Sequence, residues 1–283
     1  MIDQICVNIS ATGLLHSQAW AEAYELIDLQ LSPLGLAAIE ALGLVSGDVV
    51  LDIGCGAGQT LLQLAERVGN QGEVIGVDMA PLLLEIAKLR TEPLRQVRLI
   101  QADAQDLDLS TGSVDAIFSR FGVMTFRDPV AAFANFRRIL RPSGALAFSC
   151  WRSPKENELD HLPLSAAGFQ SIADESPFSF ADPEHIRCTL AAAGFRDIVI
   201  RSHDEKVSSG DLDAMTSVLL KVGALGKIVR ENPALRATAE QRLRAALAAL
   251  SDPAKVHLLA SIWIVTARTP ASAAHGDRAV RFD

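Results

Sequence analysis

VVLDIGCGAGQT, residues Val49 to Thr60, runs from buried-strand character straight into a turn with glycine at Gly54, Gly56 and Gly58. The TLLQLAERV that follows carries the apolar spacing of a helix. A glycine turn between strand and helix lets backbone approach a ligand closely. The helix start then offers its unpaired N–H groups to an anionic or polar part of that ligand. The arrangement marks a nucleotide-like ligand without saying which.

Outward from this stretch, DVVLDIG, EVIGVDM, VRLIQAD, VDAIFSR and ALAFSCW read as strands separated by segments long enough for crossover helices. That alternation predicts a parallel α/β sheet. Asp128 and Pro129 open a helix whose Val130, Phe133, Phe136 and Leu140 share one face, and Pro142 with Gly144 stops it. Asp182–Pro183 and Asn232–Pro233 repeat the start signal, and the helix after Pro183 ends at Gly194. FRDIVIRSH then reads as a sixth strand and HLLASIWIVTAR as a seventh. Between them lie two apolar stripes at helical spacing. One is Met215, Val218, Leu219, Val222, Leu225, Ile228 and Val229; the other is Leu235, Leu243, Leu247 and Leu250. They read either as core-covering helices or as a lid over a pocket, with Gly223 and Gly226 marking a break or bend in the first.

Composition sets bounds on function. The 283 residues are 49% hydrophobic, enough for one substantial core. Acidic residues number 34 against 26 Lys and Arg, a net charge of −8, with no basic cluster, so nucleic acid is not expected as a partner. The first twenty residues lack a signal-peptide pattern and no run of about 18 apolar residues occurs, which predicts a cytoplasmic protein with no membrane span. Cys6, Cys55, Cys150 and Cys188 lie far apart without metal-ligand spacing, so reduced thiols and no metal are expected.

The nearest alternative for the glycine turn is the dinucleotide fingerprint G-x-G-x-x-G with an acid about 20 residues on. Gln59 stands where that fingerprint needs glycine or alanine. The acid is present as Asp78, which ends the second strand 24 residues after Gly54, but any adenosine ribose would suit it.

In order and spacing, VVLDIGCGAGQT, VIGVDMA, QADAQDL, VDAIFSRFGVMTF and LRPSGALAFSCW resemble the successive motifs of class I S-adenosylmethionine-dependent methyltransferases, over about residues 45–151. The likeness is to the small-molecule branch that includes the ubiquinone and menaquinone biosynthesis methyltransferases. It implies a seven-stranded, mostly parallel Rossmann-like α/β sheet with helices on both faces and a reversed last strand. One domain is then expected over 1–283: an N-terminal helical cover (1–45), the cofactor-binding core (46–151), and a cap segment with a helix and the sixth strand (152–203). A helical lid insertion (204–256), the last strand (257–268) and a tail (269–283) follow.

The resemblance also implies roles, with S-adenosyl-L-methionine as cofactor and S-adenosyl-L-homocysteine as product. Gly54, Gly56 and Gly58 would let backbone pack on the methionine and ribose parts, with Cys55 a small buried residue among them, and Asp52 would organise the polar groups at the amino-acid end. Asp78 would accept from both ribose hydroxyls. Met79 would lie against the adenine, Asp103 would take its exocyclic amine, and the Ala104 N–H would sit beside a ring nitrogen. Ser119 would offer its backbone carbonyl to the methionine ammonium, and Phe121 would sit beside the reacting methyl. Asp106 and Asp108 read as solvated turn residues.

Methyl transfer from a sulfonium needs an aligned nucleophile and exclusion of water, with a general base optional. Segments overhanging the sheet edge supply His161, His16 and Tyr24 as candidate catalytic groups, and Trp20, Tyr24, Phe121, Trp151 and His161 as candidates for the substrate. His185, His203 and His257 fall inside helix or strand patterns. SRFG stands where DNA amino-methylating enzymes carry an N/D-P-P-Y/F tetrad, and no glutamate pair flanks that strand as in arginine methyltransferases. The expected partner is therefore a small-molecule methyl acceptor, aromatic or quinone-like. Two other readings stand beside this one: an NAD(P)-dependent oxidoreductase, and a methyltransferase-fold protein that binds the cofactor without turnover. The oligomeric state is left open, a homodimer included.

Overall fold

The computed structural model describes residues 11–170, 174–250, 252 and 254–271. Cys6 and nearly all of the expected tail lie outside the described residues. Two helices, α1 (Ala11–Glu22) and α2 (Tyr24–Leu42), precede β1 (Val49–Ile53), and α3 (Gln59–Val68) leads to β2 (Glu73–Asp78). Next come α4 (Pro81–Thr91), β3 (Val97–Gln101), β4 (Val114–Arg120), α5 (Pro129–Ile139) and β5 (Leu140–Trp151). The chain continues through α6 (Glu158–Ala167), α7 (Pro183–Ala192), β6 (Arg196–Val207), α8 (Leu212–Leu219), α9 (Gly223–Glu231) and α10 (Arg236–Leu250) to β7 (Leu258–Arg268).

The strands form one sheet in the order β3-β2-β1-β4-β5-β7-β6. β1 pairs in parallel with β2 and β4, whereas β7 runs antiparallel to both β5 and β6. The strand order reverses between β1 and β4, where the chain leaves one half of the sheet to start the other. Such a switch point opens a crevice at the C-terminal strand ends, and the glycine turn sits there.

Both faces of the sheet are covered, so its central strands read as continuous apolar runs rather than as alternating ones. Val50, Ala116, Phe118, Ala147 and Ile262 join a core with α2, α3, α6 and the 212–250 helices. Leu51, Ile53, Ile117, Phe148 and Val265 face the opposite core under α5 and α7. There Phe133 packs edge-on against Phe136 at 5.6 Å and tilted against Phe148 at the same separation.

Local signals match the helix starts. Asp128 accepts from the Ala131 N–H and Asp182 from the Glu184 N–H, each ahead of a proline at the first helical position. Three expectations need correction. Val130 is exposed, and the buried face of α5 is Ala132, Phe133, Phe136 and Ile139, because the helix starts at Pro129 and turns Val130 toward solvent. β5 begins at Leu140 rather than at Ala145, pairing with Val114 across a register irregularity that absorbs Pro142 and Gly144. Asn232–Pro233 starts a short 3₁₀ turn, Pro233–Leu235, and α10 follows it; Leu235 and Leu250 are exposed at its two ends.

Gly223 does mark a break. With φ at 72° it separates α8 from α9, a conformation open to glycine at little cost. Met215, Val218, Leu225, Val229, Leu243 and Leu247 of the three helices are buried in the same core as α2 and β7. Leu243→Ala should therefore destabilise the whole fold by about 2–5 kcal/mol, while Val130→Ala should stay within about 0.5 kcal/mol. Urea denaturation of the two variants checks this; equal, small effects would mean that the insertion is an independent cover.

Candidate functional site

The C-terminal ends of β1 and β4 approach until only glycine fits. A Cβ on Gly54 would lie 2.9 Å from the Gly122 Cα, and one on Gly122 would lie 2.4 Å from the Ile53 carbonyl oxygen. Ser119 fastens the two ends: its Oγ donates to the Ile53 carbonyl at 2.8 Å and accepts from the Gly122 N–H at 3.1 Å. Gly54 and Gly58 also need positive φ, 72° and 88°. Gly122 carried no signal in the sequence reading, because its constraint comes from a partner 68 residues away rather than from its own neighbours.

Below the turn, Asp52 is fully buried, and its Oδ2 accepts from the Thr60 hydroxyl at 2.5 Å. Its Oδ1 has no hydrogen-bond partner. Burial, only partly offset by the Thr60 hydroxyl and the Arg120 charge, pushes this carboxyl up to about 7. Asp78 at the end of β2 accepts from the Gly56 N–H and the Ala80 N–H, both at 2.8 Å, so one carboxylate braces the glycine turn and the start of α4 together. Its carboxyl is also raised by burial, against those two N–H groups. Met79 beside it is 41% exposed.

Asp103 caps the 3₁₀ turn Ala104–Asp106 and accepts from the Gln105 backbone N–H at 3.0 Å. The Gln105 amide also donates to it, and Arg127 lies 3.9 Å away. Ala104 is buried at the base of that turn.

Where the turn meets α2, a cavity of about 50 Å³ is lined by Gly54, Cys55, Gly56, Arg120 and Phe121 from the sheet edge and by Trp20, Tyr24 and Asp28 from α1 and α2. That is room for one or two waters. The Cys55 thiol is driven well up by burial, as suits a packing residue rather than a nucleophile. Phe121 adopts φ 62°, rare for a bulky residue, and stacks on Trp151 at 4.1 Å with the rings 9° apart.

The three candidate catalytic groups separate. Tyr24 lines the cavity, but its hydroxyl donates to Glu25 Oε1 at 3.0 Å, which raises its pKa. His16 is tilted against Trp20 at 5.8 Å, its pKa lowered by desolvation and by Arg230 and Lys227. His161 is exposed on α6 and does not line the cavity. The sequence reading missed a charged cluster at this spot. Arg90 Nη2 pairs with Asp28 at 2.8 Å while its Nη1 donates to the Ala57 carbonyl, and Arg120 Nη1 donates to Gln59 Oε1. Among the described residues, no group of three or more His, Cys, Asp or Glu could hold a metal ion, and no helix is long and apolar enough to cross a membrane.

Comparison with known proteins accords with this geometry. The family profile described as a methyltransferase domain matches residues 50–144, from β1 into β5. A demethylmenaquinone methyltransferase of Staphylococcus saprophyticus subsp. saprophyticus is 27% identical over 179 residues, covering 58% of this chain and 77% of that protein. Residues 50–144 therefore form a methyltransferase domain. Solved structures share the methyltransferase fold. Phosphoethanolamine N-methyltransferase 2 of Haemonchus contortus, in complex with phosphomonomethylethanolamine and S-adenosylhomocysteine, superposes with a TM-score of 0.59 at 18% identity, over 93% of this chain and 61% of that one. The [4+2]-cyclase SpnF superposes with a TM-score of 0.54 at 21% identity, over 84% of this chain and 81% of that one.

The raised Asp52 carboxyl makes the stability of the methyltransferase pH-dependent. Between the ordinary 3.8 and about 7 the folded chain holds a proton that the unfolded chain has lost, so stability falls as pH rises through that window and levels off above it. Asp52→Asn should flatten the slope in thermal melts taken across this range; an unchanged slope would mean that Asp52 is ionised throughout.

Proposed function

We propose that this methyltransferase transfers the methyl group of S-adenosylmethionine to a small aromatic or quinone-like acceptor. The observation that carries the proposal is the Phe121–Trp151 stack at the C-terminal ends of β4 and β5, held in place although Phe121 occupies a backbone conformation that costs about 1–3 kcal/mol. A flat aromatic wall kept at such a cost beside the glycine turn suits a planar acceptor. The demethylmenaquinone methyltransferase relatives support the same class.

The residues at the turn fit the cofactor. A Cβ on Gly56 would meet nothing within 4 Å, so its glycine answers to φ 52° and leaves open space above the turn, and Asp52 Oδ1 is a buried acceptor without a donor. In this reading Gly54, Gly56 and Gly58 cradle the cofactor, with Asp52 organising its amino-acid end. Asp78 has lone pairs left beyond its two backbone donors for the ribose hydroxyls. Met79 offers its exposed thioether to the adenine, Asp103 and the Ala104 N–H read the adenine edge, and the Ser119 carbonyl takes the ammonium.

When bound, S-adenosylmethionine supplies an electrophilic methyl group for in-line displacement. The chain's own part is positioning: Phe121 and Trp151 orient the acceptor, and Trp20 and Tyr24 on α1 and α2 close the site from water. The oxidoreductase reading is not favoured, since Gln59 fills the third fingerprint position and its side chain is tied to the Asp28 carbonyl at 3.0 Å.

Asp78→Ala should weaken S-adenosylhomocysteine binding by about 2–4 kcal/mol in calorimetric titration through loss of charge-assisted hydrogen bonds; unchanged affinity would refute the ribose assignment. Trp151→Ala should lower kcat/KM for a naphthoquinol acceptor at least about tenfold, equivalent to about 1.4 kcal/mol, while leaving S-adenosylhomocysteine affinity in place. Absence of radiolabel transfer from S-adenosyl-[methyl-¹⁴C]methionine to naphthoquinol or phenolic acceptors, with cofactor binding intact, would remove the substrate class.

A further inference from the structure

Arg120 is the last residue of β4, largely buried with its side chain 11% exposed, and it lines the cavity beside the glycine turn. Among the described residues its guanidinium makes one hydrogen bond, from Nη1 to Gln59 Oε1, and its Nη2 stops 3.9 Å from Asp28 Oδ1. That distance is an ion pair without a hydrogen bond. Asp28 is engaged elsewhere, by Arg90 Nη2 at 2.8 Å. Two guanidinium groups therefore share the Asp28 carboxylate, and the closer one is not Arg120; the other acid whose charge reaches Arg120 is the buried Asp52, which burial pushes up to about 7. Burial lowers the Arg120 pKa and raises that of Asp28, as expected where charge is held out of water with incomplete pairing.

The position of this surplus cation narrows what it can meet. Gln59, its one hydrogen-bond partner, is the first residue of α3, so the guanidinium lies at the glycine-turn end of a helix whose N–H groups also favour negative charge. Gly35 on α2 keeps a gap for the side chain, since a Cβ there would stand 2.9 Å from the Arg120 Cδ. The Asp78 and Asp103 carboxylates, assigned to ribose and adenine, lie at the ends of β2 and just past β3, on the other side of the turn. The acceptor wall of Phe121 and Trp151 carries no charge of its own. What remains for Arg120 is the end of the cofactor that bears a carboxylate.

We infer that Arg120 binds the α-carboxylate of the cofactor's methionine moiety, and that Arg90 holds Asp28 aside so that the Arg120 guanidinium stays free to do so. This inference rests on the S-adenosylmethionine reading for its ligand. Arg120 is a binding residue in this account, and Arg90 and Asp28 position it. A fork of N–H donors meeting a carboxylate in a site nearly closed to water is a strong form of charge-assisted hydrogen bond.

The test compares ligands that differ only at that end: S-adenosylhomocysteine, its decarboxylated analogue, and 5′-methylthioadenosine. In calorimetry the wild-type protein should bind the decarboxylated analogue about 10- to 100-fold more weakly than S-adenosylhomocysteine, the range expected for a hydrogen-bonded charge. Arg120→Met should lose a similar factor for S-adenosylhomocysteine while changing affinity for 5′-methylthioadenosine by less than about threefold, so the discrimination collapses. Should Arg120→Met fail to fold because Asp28 is left short of charge, the double variant Asp28→Asn/Arg120→Met removes both charges together, and the same collapse is expected in it. Asp28→Asn alone should keep or increase the preference for the carboxylate.

Equal wild-type affinity for S-adenosylhomocysteine and its decarboxylated analogue would overturn the inference and leave the cofactor reading standing. So would an Arg120→Met protein that retains the discrimination and only raises the KM of the acceptor. Failure of the wild type to bind S-adenosylhomocysteine and 5′-methylthioadenosine alike would instead overturn the cofactor reading, and the inference with it.

Discussion

The contact between Gly54 and Gly122 governs the rest of this molecule. Two backbones that leave the sheet at its switch point come so close that a Cβ on either would meet the other chain within 3 Å. Ser119 locks them by donating to one strand end and accepting from the other. Because the lock is made of backbone and one hydroxyl, the crevice above it is rigid where a ligand needs backbone donors. The side chains around it remain available for recognition.

Charge is distributed around that rigid floor in two ways. On the β2 and β3 side, Asp78 and Asp103 are carboxylates already satisfied by backbone N–H groups, which aims them while leaving acceptor capacity unused. Under and behind the turn, Asp52, Asp28 and Arg120 are buried with incomplete pairing. Groups of that kind weaken the fold and are kept where a ligand completes them. Stability in this protein comes instead from the two apolar layers against the sheet, one of them built partly by the helices between β6 and β7.

Much of this was legible in the chain. Strand, glycine turn and helix appear in the residues themselves because φ > 0, N-caps and apolar periodicity are local properties. For the same reason Asp128–Pro129 and Asp182–Pro183 located α5 and α7 to the residue. The stripes at 215–229 and 235–250 showed helices but not their role, since a buried stripe looks alike whether it covers a core or a pocket. Long-range pairing left no trace. Asp28, Arg90 and Arg120 lie on α2, α4 and β4 and read as ordinary charged residues until the fold brings them together. His161 shows the converse: a chemically suitable residue in the right segment is exposed on α6, away from the cavity beside the glycine turn.

The measurement that bears most directly on the account is calorimetric titration of the purified protein with S-adenosylmethionine, S-adenosylhomocysteine and NADH. Micromolar binding of the first two and none of NADH is the predicted result. Binding of NADH alone would contradict the account at its root, since the glycine turn would then hold a dinucleotide despite Gln59.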